Sequence, residues 1–198
     1  MKKILLPILL GTTISLHVQA AITVYTSKPA WEAAVNNTYQ TEDFSDAVLN
    51  TGISFVSGLP GTVSGGLFND RVVNGGDQTT WNFSSVINGW GGNFDLSPGG
   101  PGQGLQMTLE LYAGGNLVVS SVIPNTYTGQ FWGLVSDDLF DAIVVRGDGL
   151  GGTAETYTMD NMVYAAPVPE PSTYIAGALL ALPFGLQALR QIRARRRS

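Results

Sequence analysis

The chain has 198 residues, no cysteine, one histidine and a formal net charge of −5 at pH 7. Without cysteine it forms no disulfide and offers no thiolate nucleophile. The histidine, His17, lies in an N-terminal apolar segment that we expect to be removed. This excludes from the remaining chain a Ser-His-Asp or Cys-His catalytic centre and a zinc site built on histidine or cysteine.

The first twenty residues are typical of a secretory signal peptide. Two lysines precede an apolar stretch, residues 4–16, and small residues follow in the sequence Val-Gln-Ala at 18–20. This is the order of charge, apolar segment and small residues that signal peptidase recognises. We expect cleavage after Ala20 and export of the chain that follows.

Residues 21–166 form the main body of the chain, and their number suits one domain with its own core. This body carries fourteen acidic and three basic residues, a net charge of −11 that C-terminal arginines partly mask. An acidic domain repels the phosphates of nucleic acid and attracts divalent cations. We therefore expect no nucleic-acid partner.

The body is predicted to be all-β apart from one short helix. Ser27 precedes a helical pattern that runs from Lys28 to about Asn36, with Pro29 in its first turn. Elsewhere, short runs rich in β-branched and aromatic residues alternate with Gly, Asn, Asp and Pro, which predicts strands. The predicted strands are 22–26, 52–56, 72–73, 79–87, 92–96, 105–112, 117–123, 130–135, 142–146 and 155–164.

Several of these strands show antiparallel features. Residues 105–112 alternate between apolar and polar side chains, which is typical of a half-buried antiparallel strand. The sequence Ala-Gly-Gly-Asn at 113–116 then predicts a hairpin turn into the next strand. Many short strands at this spacing predict an antiparallel β-sandwich, of jelly-roll type.

The end of the chain falls into three parts with different physical properties. A linker, residues 167–173, contains Pro169, Glu170 and Pro171, and its prolines hold the chain extended. Residues 174–189 carry no charge, and as a helix they would rise about 24 Å, less than the ~30 Å apolar layer of a bilayer. Flanking residues and local thinning can supply the difference. Five arginines follow within 190–198, which predicts a transmembrane helix and a cytoplasmic tail.

This order of Pro-Glu-Pro, apolar segment and arginine cluster resembles the PEP-CTERM sorting signal of Gram-negative bacteria. The resemblance implies that a membrane-embedded exosortase recognises Pro169, Glu170 and Pro171, processes the tail and passes the protein outward. It also implies an inner-membrane anchor before processing. Afterwards, the protein would lie at the cell surface or in the extracellular matrix.

The body carries a resemblance of its own, in segments 41–44, 94–102, 131–137 and 157–164. These segments resemble exported PEP-CTERM proteins with a single lectin-like sandwich domain. In such proteins an aromatic-Gly-aliphatic strand precedes a final strand that carries Asp-Asn or Asp-Asp. The resemblance implies the same sandwich fold for residues 21–166.

One set of oxygen ligands favours a structural Ca²⁺ site. If the first and last strand regions lie together, Glu42 and Asp43 approach Asp160 and Asn161, and carboxylate and amide oxygens are the ligands that Ca²⁺ prefers. The alternative is that Asp160 and Asn161 only turn the strand while the two acids face water. Two looser acidic clusters are further candidates: Asp137, Asp138 and Asp141, and Asn69, Asp70 and Asp77.

Aromatic side chains raise the alternative of glycan binding. Most tryptophans are expected in the core, but Trp90 lies within Asn-Gly-Trp-Gly-Gly-Asn at 88–93, a loop-like composition that would expose it. Trp90 is therefore the candidate glycan-binding residue.

We expect an exported surface or matrix protein, associated with the exopolysaccharide of a biofilm matrix and without catalytic activity. Two alternatives remain open. A glycan-binding module would show exposed aromatic rings on one sheet face, and a carbohydrate-active enzyme would show a cleft with two carboxylates about 5–9 Å apart.

Overall fold

The structure is a computed structural model that describes residues 21–59, 61–73, 75–96, 106–147 and 154–167. The predicted signal peptide, the sorting motif Pro169-Glu170-Pro171, the apolar segment 174–189 and the basic tail lie outside these ranges. Within the described ranges, the structure contains no helix that is long and apolar enough to cross a membrane.

The described residues form ten strands and one helix. In chain order they are β1 (Ile22–Tyr25), α1 (Lys28–Ala34), β2 (Gln40–Glu42), β3 (Ile53–Ser57), β4 (Thr62–Ser64), β5 (Leu67–Val73), β6 (Thr79–Asp95), β7 (Met107–Ala113), β8 (Asn116–Ile123), β9 (Thr128–Gly147) and β10 (Ala154–Ala165). All pairings are antiparallel, in the order β4-β5-β10-β6-β9-β7-β8, with β1 on β9, β2 on β10 and β3 on β6.

Two long strands, β6 and β9, pass through both layers of the sandwich. The first part of β6 pairs with β3 and with the second part of β9, which also pairs with β7. The second part of β6 pairs with β10 and with the first part of β9, which also pairs with β1. The register between β6 and β9 shifts between Asn82 and Ile87, where the strands pass from one layer to the other.

The predicted antiparallel β architecture with one short helix is thus confirmed, and the jelly-roll type stays a prediction. The predicted strand boundaries are partly wrong. The predicted strands 79–87 and 92–96 are one continuous strand, and so are 130–135 and 142–146. The predicted breaks contain Gly, Asn and Asp, which are typical of turns. Here they lie at a bulge or beneath the helix.

One apolar core fills the space between the layers, and Trp81 lies at an aromatic cluster within it. Its ring centre is 4.7 Å from that of Phe68, 5.3 Å from Phe55 and 6.1 Å from Phe44. Trp81 belongs to β6 in one layer, whereas Phe68 belongs to β5 in the other. Full burial of such rings contributes about 1.5–3 kcal/mol each, so this cluster is a main link between the layers.

The helix packs on the outside of the second layer. It ends at Ala34, two residues before the predicted end, because Asn36 and Asn37 adopt left-handed φ angles of 53° and 54°. Trp31 is fully buried, and its indole N–H donates to the carbonyl oxygen of Leu134 at 2.9 Å. Trp31 and Val35 form a second small apolar cluster with residues of β9 and β10.

Glycines on β6 and β9 make room for this helix. A Cβ at Gly133 would lie 3.0 Å from Cδ1 of Trp31, and one at Gly89 would lie 3.1 Å from Cζ2 of the same ring. A Cβ at Gly91 would lie 2.7 Å from the Cα of Gly133, across the two strands. These glycines are therefore required by close packing and not by a turn.

The expectation that Trp90 lies in an exposed loop is wrong. Trp90 lies within β6, is fully buried in the main core and packs against Phe94 at 5.6 Å between ring centres. The glycines around it suggested a loop, but they serve close packing: Gly89 lies beneath Trp31, Gly91 against Gly133 and Gly92 against Met159. Because side chains alternate along a strand, Trp90 points inward where Gly89 and Gly91 point outward.

We predict that Gly91→Ala destabilises the fold more than Gly89→Ala, although both add one methyl to the same face of one strand. The methyl at 91 meets backbone atoms, Gly133 Cα and the Trp132 carbonyl oxygen at 2.8 Å, which cannot rotate away. The methyl at 89 meets only side chains, at 3.0 Å or more. We expect losses of about 2–3 and about 1 kcal/mol, measured by chemical denaturation. Equal losses would contradict the close approach of β6 and β9.

Candidate functional site

The outward face of the layer formed by β8, β7, β9, β6 and β3 carries a cavity of about 460 Å³. Its polar lining residues define the outer-face site: Gln78, Thr80, Asn82, Tyr112, Asp141 and Arg146. These residues come from neighbouring strands or their ends and alternate with core residues such as Trp81 and Ile143. The strands therefore hold the site in a fixed arrangement.

An ion pair and a tyrosine form the polar part of the outer-face site. Nε of Arg146 donates to Oε2 of Glu110 at 2.9 Å, and the hydroxyl of Tyr112 donates to the same oxygen at 2.8 Å. A pair this exposed contributes at most about 1 kcal/mol to stability. Its clearer effect is to orient three side chains on one surface.

The contacts within this group raise the pKa values of Tyr112 and Arg146. The hydrogen bond to Glu110 raises the pKa of Tyr112 above its usual value. Burial lowers the pKa of Arg146, but the bond to Glu110 and the contact with Tyr112 outweigh burial and leave that pKa raised. The tyrosine therefore keeps its proton and the guanidinium keeps its charge at neutral pH.

The outer-face site has an apolar floor and a fixed rim. Val144 points outward from β9, opposite Thr80 and Glu110, yet only 6% of it is exposed. The surrounding side chains therefore cover most of Val144 and extend beyond it, which makes the surface concave. At the rim, both carboxylate oxygens of Asp141 accept the amide of Gly114, at 3.1 and 3.2 Å, and hold the turn between β7 and β8.

Glu42, a predicted Ca²⁺ ligand, organises a loop in the structure. It is 4% exposed and lies opposite Met162 of β10, so the predicted approach of this segment to the last strand is confirmed. One carboxylate oxygen accepts the amide of Phe44 at 2.8 Å, and the other accepts the amide of Asn50 at 2.7 Å. The carboxylate thereby closes the loop that follows β2.

The other predicted ligands lie in the loop after β2 and at a bulge in β10. Asp43 is exposed and accepts the amide of Ser45 at 3.0 Å, a bond that lowers the pKa of Asp43. Asp160 pairs with Asn93 of β6, and Asn161 has a φ of 49° at a bulge in β10. Within the described ranges, no three acidic, histidine or cysteine side chains are grouped so that they could hold a metal ion. The Ca²⁺ site stays a prediction.

Of the predicted cluster of Asn69, Asp70 and Asp77, only Asp70 belongs to a buried polar network, and Asn69 is exposed. Asp70 accepts hydrogen bonds from the hydroxyls of Ser57, at 2.8 Å, and Thr79. The hydroxyl of Tyr157 donates to that of Thr79 at 2.9 Å. Burial raises the pKa of Asp70, with a smaller contribution from Asp77, and burial also raises the pKa of Tyr157. The network links β3, β5, β6 and β10 inside the fold.

The tryptophans do not form a binding surface. All four are at most 1% exposed; they are Trp31, Trp81, Trp90 and Trp132. Phe94 and Tyr127 are also buried.

In the predicted acidic cluster of Asp137, Asp138 and Asp141, the first two side chains are exposed within β9.

Sequence reasoning missed the outer-face site because its members are far apart in the chain. Two signals were present. Alternation along residues 105–112 places Glu110 and Tyr112 on the polar face of one strand. Arg146 is one of only three basic residues in the body and ends the predicted strand 142–146. Such a rare cation on a predicted strand could have indicated the pairing.

No family model and no curated protein matches the chain. Among solved structures, a mutant of the family 29 carbohydrate-binding module CBM29-2 is similar at a TM-score of 0.48 and 13% identity, covering 68% of this chain and 99% of that one. Another mutant of that module, complexed with mannohexaose, has a TM-score of 0.47 and 13% identity, over 64% and 90% of the chains. The family 32 module of NanJ from C. perfringens, in complex with galactose, has a TM-score of 0.38 and 11% identity, over 64% and 98%. We draw no functional conclusion from matches at this level.

The predicted Ca²⁺ site can be tested by melting the protein in EDTA and in millimolar Ca²⁺. An ion that binds only the folded state stabilises it by RT ln(1 + [L]/Kd), about 2.7 kcal/mol at a hundredfold excess, which is a rise of roughly 5–10 °C. Asp160→Ala should abolish the rise. Asp46→Ala should keep it, because Asp46 only accepts the amide of Val48 in the following loop. Equal melting temperatures of the unsubstituted protein in the two buffers would rule the site out.

Proposed function

We propose that this chain is an exported, exosortase-sorted surface or matrix protein whose β-sandwich binds polysaccharide without catalysing a reaction. The observation that carries the binding part is the outer-face site, a concave polar surface on three adjacent strands. The sorting part rests on the PEP-CTERM resemblance of the C-terminal sequence.

The chemistry of the outer-face site suits a sugar. A pyranose offers hydroxyl groups around its edge and an apolar C–H face. Arg146 and Asn82 line the cavity and present hydrogen-bond donors and acceptors, with Arg146 held by its bond to Glu110. The Tyr112 ring and Val144 supply apolar surface beside them. Side chains held in place before binding lose little conformational freedom when the ligand arrives.

The arrangement of acids favours binding over hydrolysis. A glycosidase needs one carboxyl group as acid and a second as nucleophile or base. At the outer-face site, Glu110 forms an ion pair with Arg146, and Asp141 accepts the amide of Gly114. Both carboxylates therefore have structural partners, and we propose a non-enzymatic role.

We predict that Arg146→Ala and Asn82→Ala each weaken polysaccharide binding about tenfold, equivalent to about 1.4 kcal/mol. Each removes hydrogen-bonding groups from the outer-face site, and neither side chain is buried, so the fold should persist. Thr126→Ala, at a different surface cavity, is the control and should bind normally. A glycan array followed by titration with the best ligand measures the effect. Unchanged affinity in both variants would place binding elsewhere, and no ligand on the array would contradict the binding proposal.

The sorting proposal has its own test. The described sheet begins at Ile22 and ends at Ala165, so cleavage after Ala20 and processing at the Pro-Glu-Pro motif would both spare it. We predict that replacing Pro169, Glu170 and Pro171 with alanines leaves the protein in the membrane at its unprocessed mass. Cell fractionation and mass measurement of the protein check this outcome. Normal release of the triple variant would contradict recognition of the motif.

A further inference from the structure

A second cavity, of about 380 Å³, lies where β6 passes from one layer of the sandwich to the other. We name it the crease pocket, and its principal lining residues are Tyr39, Gln40, Phe83, Ser84, Ser85 and Tyr164. Phe83 lines this pocket and also the outer-face cavity. The two cavities therefore follow one another along β6 and meet at that residue.

The crease pocket is built by the irregular part of β6. Between Asn82 and Ile87 the pairing with β9 shifts, and Ser84, Ser85 and Val86 are exposed there. Beneath them, the rings of Phe83 and Tyr164 pack at 5.6 Å between centres and are both at most 8% exposed. A bulge therefore brings hydroxyl groups to the surface above an aromatic floor.

A glutamine is oriented at the edge of this floor. The hydroxyl of Tyr164 donates to Oε1 of Gln40 at 2.6 Å, which leaves the amide nitrogen as the donor end of that side chain. Next to it, the hydroxyl of Tyr39 donates to Glu32. The pocket thus combines aromatic surface, hydroxyls and an oriented amide.

We propose that the outer-face site and the crease pocket form one groove along β6 that binds several consecutive units of a linear, neutral polysaccharide. This inference rests on the proposed function and adds the ligand class. From Gln78 to Ile87 the groove follows at most about 30 Å of strand, at about 3.3 Å per residue, which is longer than a single sugar. A monosaccharide or disaccharide would occupy only part of it.

The charges favour a neutral chain. None of the residues that line the crease pocket is charged, and the cation of the outer-face site, Arg146, is already paired with Glu110. The body around the groove carries a net charge of −11, which repels uronic acids and sulfated sugars. Neutral hydroxyl groups match the serines, the threonines and the amides of the groove.

The test is calorimetric titration of the full-length protein with neutral oligosaccharides of two to six units, cellulose-derived and mannan-derived, and with a galacturonic acid hexamer. We expect at least tenfold tighter binding of one neutral hexamer than of its dimer, and no binding of the acidic hexamer. Gln40→Ala should lower the affinity for the hexamer about tenfold and leave the dimer unchanged. Gln130→Ala removes an exposed strand glutamine outside both cavities and is the matched control.

A second substitution tests the crease pocket independently of Gln40. Ser85→Glu places bulk and negative charge in the crease pocket at an exposed position, and Ser64→Glu makes the same change at an exposed position on β4. We expect only Ser85→Glu to lose the preference for long chains. Binding that is independent of chain length and of both crease substitutions would overturn the groove but keep the outer-face site. Absence of binding to every oligosaccharide would overturn the proposed function as well.

Discussion

Gly91 and Gly133 lie opposite each other on β6 and β9, and the rest of the fold depends on this close contact. A Cβ at either position would approach atoms of the other strand or of Phe131 at less than 3 Å. The outward face of the two strands is therefore bare at this point, and Trp31 fills it. Its indole N–H then binds the backbone of β9 at Leu134. The inward face of the same strands carries Trp90 and Trp132, so that side chains cover the backbone from both sides.

This covered segment fixes the two long strands, and the long strands fix both proposed binding surfaces. Once β6 and β9 are paired in the second layer, their continuation into the first layer places Asn82 and Arg146 on one outward face. The change of register between Asn82 and Ile87 creates the crease between the layers. The outer-face site and the crease pocket therefore lie next to the same bend, and β6 contributes to the lining of both, joined in the crease pocket by the loop residues Thr38, Thr51 and Gly52. Sites on strands are held more precisely than sites on loops, which suits recognition of a regular polymer.

The sequence predicted the elements that depend on local pattern. Alternation along residues 105–112 correctly indicated β7, Gly-Gly-Asn indicated the hairpin to β8, and the helix at Lys28 begins where expected. The sequence prediction fails where a residue is required by a contact with residues remote in the chain. Glycines at 89, 91 and 92 have the composition of a turn, but they are required by Trp31, Gly133 and Met159, which are remote in the chain. Local composition cannot distinguish these two uses of glycine.

Dependence on residues remote in the chain also explains why the sequence did not predict the hydrogen bonds of Glu42 or the outer-face site. Glu42 has the chemistry of a metal ligand, and its position beside β10 was predicted, but its hydrogen bonds to Phe44 and Asn50 depend on the path of the following loop. Glu110 and Arg146 are 36 residues apart and meet only because β7 pairs with the second part of β9. Polar residues on a strand could be recognised from the sequence, whereas their partners could be found only from the pairing of strands.

The position of the crease pocket also bears on how binding and sorting would combine. Ala166, the residue after β10, lines this pocket, and the chain continues from there to the Pro-Glu-Pro motif. One end of the proposed groove therefore lies beside the point where the chain leaves the sandwich for its predicted membrane segment. We infer that a long polymer that extends past this end meets the anchored part of the chain while that segment is still attached. Removal of the tail by processing would free that end, so we expect long polysaccharides to bind the processed protein better than the anchored one, with short oligosaccharides unaffected.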